Sequence, residues 1–194
     1  MIKNIQEIID TGNNLYNKNL ISGKSGNISK RIRGASGEFI AITPTLKSLS
    51  GLNPEDIVLV DLDGNLLSNG KPSSEIGMHL EIYKKRDDIN AIVHTHAPYA
   101  TGFAFSDKKI KRLEGFGEIK KPYLPSIEYE KPGSEELAVN ASEGIGNDDV
   151  LILKNHGVIC VGENLKEAES LAIFVEESAK TQFVTLMLNS VEDI

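Results

Sequence analysis

Residues 148–162, DDVLILKNHGVICVG, restrict the fold more than any other stretch of the chain. Two apolar runs flank Asn155-His156-Gly157. Each run is too short for a helix, and Asn with Gly suits a tight turn, so the segment reads as strand, turn, strand. Residues 89–96 form a further apolar strand, and Pro98 behind it suits the first turn of a helix. Shorter strands are expected at 28–32 and 39–43, with a hairpin in IVLVDLDGNLL turning at Asp63-Gly64. Helical spacing appears between these runs. It covers residues 2–19 (Ile2, Ile5, Ile8, Ile9, Leu15, Tyr16), 75–85 behind a Ser73 or Ser74 cap, the segment PGSEELAVNASEGI with Ser134 as cap, and 165–188. Residues 108–131 read as irregular. Helices flanking a sheet predict an α/β protein, layered helix–sheet–helix around a central, largely antiparallel sheet.

A chain of 194 residues can bury a real core as one domain, and residues 1–194 are expected to form one. The formal net charge of −7 argues against nucleic acid or an anionic membrane as the main partner. It leaves room for a small phosphorylated ligand, which backbone amides and hydroxyls can hold locally. No apolar run approaches a membrane span, and the N-terminal stretch has no signal-peptide core, so a cytoplasmic protein is expected. The lone Cys160, inside GVICVG, reads as a small buried hydrophobe.

Two of the four histidines lie in IVHTHAPYA. On a strand, His94 and His96 share a face while Thr95 points away. Two imidazoles at that spacing can ligate one metal ion, and His156, at a strand end before Gly157, is a third ligand by type and place. The competing reading is a pair of hydrogen-bonded core histidines, although burying two side by side is costly. Glu75 and His79 share a helix face four residues apart. His79 reads as a core residue that packs against or orients a neighbour, whereas Glu75, in the first turn, is better placed to reach a site. The loops KSGNIS and KPSSE offer glycine, amides and hydroxyls to an anion. Such loops are also common as plain turns.

Five motifs in order then resemble the class II aldolase/adducin family: GNIS (26–29), ITPT (42–45), KPSSE (71–75), VHTHAPYAT (93–101) and LKNHGVI (153–159). The resemblance spans residues 1 to about 188. It implies one zinc per subunit held by His94, His96 and His156, with Glu75 both approaching the metal and moving protons. It implies a substrate phosphate held by Gly26, Asn27, Thr45, Leu46, Ser73 and Ser74, and a homotetramer with sites between subunits. The implied reaction is cleavage of a ketose 1-phosphate, such as L-fuculose 1-phosphate, to dihydroxyacetone phosphate and a short aldehyde such as lactaldehyde. Zinc would act as the Lewis acid that stabilises the enediolate, with Glu75 as acid or base at C3.

Two departures accompany the resemblance. Leu46 stands where aldolases for fuculose phosphate commonly have Gly. Their tyrosine from the neighbouring subunit has no clear counterpart, Phe116 and Tyr123 being the residues nearby. Phosphopentulose 4-epimerases and methylthioribulose-1-phosphate dehydratases share the histidines and remain alternatives. An adducin-like assembly module would not require the ligands, and a structural zinc site would favour cysteine.

Overall fold

The structure, a computed structural model, describes residues 2–34, 37–112 and 121–191. Seven strands form one sheet in the order β3-β2-β1-β4-β7-β6-β5. The central members are β1 (Asn27–Gly34), β4 (Ala91–Thr95) and β7 (Gly157–Gly162). β2 (Gly37–Ile42) and β3 (Val58–Val60) extend the sheet on one side, and β6 (Val150–Leu153) and β5 (Ser126–Ile127) on the other. Every pairing is antiparallel except β5 with β6. The expected three-layer α/β arrangement is therefore observed.

The central strands are apolar throughout because both faces are covered. Val93, Val158 and Cys160 join a core with α1 (Ile2–Asn17), α3 (Pro98–Ala104) and α5 (Leu165–Leu188). Their alternating neighbours Ile92, Ile159 and Val161 join a second core on the other face, with α2 (Ile76–Lys85) and α4 (Glu135–Ile145). Ser134 caps α4 as expected, its hydroxyl accepting from the Leu137 amide.

Several elements depart from the sequence reading. Neither Ser73 nor Ser74 is the N-cap of α2. Glu75 holds that position, and its amide donates to the Ser73 hydroxyl at 3.3 Å. The expected hairpin at 57–67 becomes β3 plus one bridge from Val60 to Leu66, because the Asp61 side chain accepts from the Asp63 and Asn65 amides and shapes a wider loop. The stretch read as irregular contains β5. β4 stops at Thr95, so His96 lies just beyond the strand. Among the described residues, no helix is long and apolar enough to cross a membrane.

α3 starts two residues after His96, and its first residue, Pro98, has no amide hydrogen to satisfy. The next two amides, Tyr99 and Ala100, donate to the two carboxylate oxygens of Glu176 at 3.0 and 2.8 Å. Glu176 is a buried residue of α5, so one helix caps another at the exit of the His94–His96 segment. Glu176→Ala would leave both amides without this charged acceptor. It should lower stability by about 2–3 kcal/mol. Urea unfolding measures this, and a loss below about 0.5 kcal/mol would show that water replaces the carboxylate.

Candidate active site

The antiparallel order brings the start of β1, the end of β4 and the start of β7 to one edge of the sheet. Asn27 pairs with His94, and Thr95 with Val158. His156 is carried there by the β6–β7 turn, in which Asn155 takes a positive φ of 53° and the His156 amide returns to the Leu153 carbonyl. Asn tolerates that conformation better than most side chains.

His94, His96 and His156 converge so that one ligand nitrogen from each lies within 4.8 Å of the others. His94 Nδ1 lies 3.0 Å from the Val158 carbonyl oxygen. A carbonyl only accepts, so Nδ1 carries the proton and Nε2 is left to face the cluster. That Nε2 is 2.9 Å from His96 Nε2 and 3.3 Å from Glu75 Oε2. The other carboxylate oxygen, Glu75 Oε1, is 3.3 Å from His156 Nε2, and it is buried without a hydrogen-bond partner. Convergent imidazoles with an underused carboxylate oxygen fit a divalent cation.

The electrostatics have one resolution. Burial pushes the Glu75 carboxyl pKa up, but the charge and hydrogen bond of His94, the charge of His156 and the Asn27 amide together pull it well below the usual carboxylate range. Burial disfavours charge on His94, yet Glu75 and the Val158 carbonyl raise its pKa overall. Burial, then the charge on His94, lowers His156 to about 4. Burial, His94 and His156 lower His96 to about 3. Glu75 thus favours the proton on His94, while His96 and His156 are pushed toward the neutral form with free lone pairs.

The three loops assigned to phosphate are brought side by side. The Ile28 amide donates to the Thr43 hydroxyl, the Thr45 amide to the Lys71 carbonyl, and the Ser73 amide to the Thr43 carbonyl. Gly26 has φ +76° and sits where a Cβ would lie 2.8 Å from the His94 carbonyl oxygen. Leu46 has a positive φ of 60°, a backbone conformation that glycine adopts more readily than leucine. Ser73 is buried and Ser74 exposed. The Asn27 side chain is buried and turned toward Glu75, donating from Nδ2 to Oε2 at 2.8 Å. Tyr123 bridges to Lys111 and lines a surface cavity with Gln182 and Thr185 of α5. Phe116 lies outside the described residues.

Two features escaped the sequence reading. A Cβ on Gly157 would lie 2.5 Å from the Thr95 carbonyl oxygen and 2.8 Å from the His96 ring. Only glycine lets β7 approach the histidines this closely, and the signal was its place directly after His156. The second feature is a polar stripe on β1, Asn27-Ser29-Arg31, facing Glu75-His79-Tyr83 on α2. Alternation in one segment and a spacing of four in the other were both visible in the sequence.

Comparison with known proteins identifies the family. The family model described as Class II Aldolase and Adducin N-terminal domain matches residues 6–183. An L-fuculose phosphate aldolase of Methanococcus maripaludis is 42% identical over 170 residues, covering 88% of this chain and 91% of the relative. A 5-deoxy-D-ribulose 1-phosphate aldolase of Bacillus thuringiensis is 35% identical, covering 94% of this chain and 85% of the relative. A solved L-fuculose 1-phosphate aldolase superposes with a TM-score of 0.85 at 32% identity, covering 99% of this chain and 89% of that one. Fold, site and relatives together define a carbon–carbon lyase, an aldolase. Within that class, the chain belongs to the class II aldolase and adducin family, whose aldolases are metal-dependent.

Two tests follow from the geometry. Gly157→Ala should keep the fold but displace His96, weakening divalent-metal binding at least about tenfold. Competition with a chromophoric chelator measures this, and unchanged affinity would refute the steric argument. The second test is pH. His96 and His156 have folded pKa values of about 3 and 4, and burial with the His94 charge puts buried His79 at about 3, all against an ordinary 6.5. Lowered values stabilise the fold above 6.5, and that stability is lost as pH falls toward 4, because only the unfolded chain takes up the protons. His94, raised, behaves oppositely. Its contribution is complete below 6.5 and fades as pH rises through its folded value. The metal-free protein should therefore lose stability steadily from pH 6.5 to 4, and a flat unfolding free energy there would contradict the assignment.

Proposed function

We propose that the chain is a zinc-dependent aldolase that cleaves a ketose 1-phosphate of the L-fuculose 1-phosphate type. The products are dihydroxyacetone phosphate and a short aldehyde such as lactaldehyde. The observation that carries this reading is the convergence of His94, His96, His156 and Glu75 beside the stitched loops 26–27, 45–46 and 73–74. The three histidines would hold the metal, and Glu75 stands within reach of the same point. Zinc, when bound, supplies Lewis-acid stabilisation for the negative charge that cleavage leaves on the carbon skeleton.

The chain's own groups account for the rest. As the C3–C4 bond breaks, its electron pair stays on C3 and the C4 hydroxyl loses its proton to become the aldehyde. Glu75, ionised in the free site, can take a proton and return it at C3. The His94 Nδ1–H contact to Val158 keeps that ring from turning during the exchange. Gly26, Asn27, Thr45, Leu46, Ser73 and Ser74 would hold the phosphate through hydroxyls and backbone. Ser73 accepts from the Glu75 amide, so the phosphate grip and the carboxylate belong to one turn. Binding energy from the remote phosphate then orients the reacting carbons.

The experiment is incubation of purified protein with L-fuculose 1-phosphate, 5-deoxy-D-ribulose 1-phosphate, ribulose 5-phosphate and methylthioribulose 1-phosphate. Dihydroxyacetone phosphate release from either of the first two supports the reading. Turnover only of ribulose 5-phosphate or methylthioribulose 1-phosphate would replace it with epimerase or dehydratase chemistry. Glu75→Gln should keep fold and metal while turnover falls by at least about a hundredfold; undiminished turnover would remove Glu75 from the mechanism.

A further inference from the structure

We propose that His79 is a positioning residue for Glu75, the last adjustable link in a one-directional hydrogen-bond chain running Tyr83–Ser29–His79–Asn27–Glu75. The proposal rests on the reading of Glu75 given above.

The distances define the chain. Tyr83 OH lies 2.8 Å from Ser29 Oγ, and Ser29 Oγ lies 2.7 Å from His79 Nδ1. His79 Nε2 lies 2.5 Å from Asn27 Oδ1, and Asn27 Nδ2 lies 2.8 Å from Glu75 Oε2. All five residues are buried, with Ser29 and His79 fully so.

Its direction follows from the ends. An ionised carboxylate only accepts, so Asn27 must present Nδ2 to Glu75. Its oxygen then faces His79 and needs a donor, so His79 Nε2 carries the proton. A neutral imidazole has one N–H, which leaves Nδ1 as an acceptor for the Ser29 hydroxyl. Ser29 has then spent its proton and accepts from Tyr83. Burial, reinforced by the His94 charge, keeps His79 neutral, and burial keeps the Tyr83 hydroxyl protonated.

Asparagine alone could not enforce this. Its amide can turn by half a circle at little internal cost, placing Oδ1 against the carboxylate. His79 removes that alternative, because a flipped amide would set two donors face to face. The imidazole thus fixes an amide, and the amide fixes a carboxylate directed at the three histidines. Tyr83 is itself held: the Arg31 guanidinium sits 4.8 Å over its ring and donates to its carbonyl.

The direct test needs neither metal nor substrate. Ring nitrogen-15 NMR of the histidine-labelled protein should show His79 as the neutral Nε2–H tautomer at neutral pH. An Nδ1–H tautomer, or a charged ring, overturns the proposal. The functional test uses His79→Leu, which breaks the chain, and His79→Gln, whose amide nitrogen can still donate to Asn27. His79→Leu should lower kcat for the sugar phosphate at least about tenfold with KM within about twofold, and His79→Gln should recover most of it. Cobalt(II) in place of zinc gives a readout apart from activity. His79→Leu should alter the visible spectrum when Glu75 is present and leave it unchanged in a Glu75→Ala background. Equal spectral changes in both backgrounds, or a His79→Leu kcat equal to the parent's, would make His79 merely structural. A protein with the expected tautomer and cobalt behaviour that turns over none of the sugar phosphates would sink the aldolase reading and leave the positioning role standing.

Discussion

The buried polar seam between β1 and α2 is the constraint on which the site depends. Asn27, Ser29 and Arg31 recur every two residues along the strand. Glu75, His79 and Tyr83 recur every four along the helix. Two strand residues advance about 6.6 Å, and four helical residues about 6 Å, so the stripes remain opposite one another at all three positions. Asn27 meets Glu75 and His79, Ser29 meets His79 and Tyr83, and Arg31 covers Tyr83. A slip of α2 by one residue would strand several buried polar groups at once. Each carries a desolvation penalty of about 1–3 kcal/mol when unpaired. The surrounding apolar contacts give the helix its attachment, while the seam chooses among otherwise similar placements.

Sheet topology supplies the rest of the convergence. The site draws on positions near 27, 75, 94 and 156, which are far apart along the chain. They meet because β1 and β7 both run antiparallel to β4, so a strand start, a strand end and another strand start share one edge. His94 projects to the α2 face with Ile92, the side from which Glu75 approaches. His96 lies past the last paired residue, where the backbone is no longer tied to the pleat, and its ring can swing back to within 4.7 Å of the His94 ring centre. Gly157 leaves the space for this, and Glu176 secures the chain just beyond. The histidines are thus held from the strand side, the turn side and the helix side.

Much of this was legible in the sequence. The apolar runs gave the central strands, helical periodicity gave α5 at its observed limits, and Ser134 capped α4 as read. The H-x-H spacing and the His156-Gly157 turn marked the cluster, although the spacing argument assumed His96 still lay on the strand. What was not legible depended on distant partners. Ser73 and Ser74 have the chemistry of caps, but the Ser73 hydroxyl is engaged one step earlier, on the Glu75 amide. β5 has two residues, too few for any period to show, and exists because it pairs with β6. Asp63-Gly64 looked like a hairpin turn until the Asp61 carboxylate, a local competitor for backbone amides, widened the loop. The spacing marks His79 as a core residue that packs against or orients a neighbour, but which neighbour is set by the register of β1.

On the proposed reading, charge explains why the phosphate grip is local. The chain carries −7 overall, so its far field repels a sugar phosphate rather than steering it inward. In the metal-free centre, Glu75 favours a proton on His94, and burial with the neighbouring charges pushes His96 and His156 toward the neutral form. A phosphate is therefore best held by short-range groups, which lose little to a distant field of the same sign. Hydroxyls and backbone amides at the loops 26–27, 45–46 and 73–74 meet that requirement. Their mutual hydrogen bonds, from Ile28 to Thr43, Thr45 to Lys71 and Ser73 to Thr43, hold them in place before any ligand arrives. An anion site of this kind gains from rigidity what it lacks in net charge, and the loops are rigid because they are joined to the same β1 and α2 ends that the polar seam keeps in register.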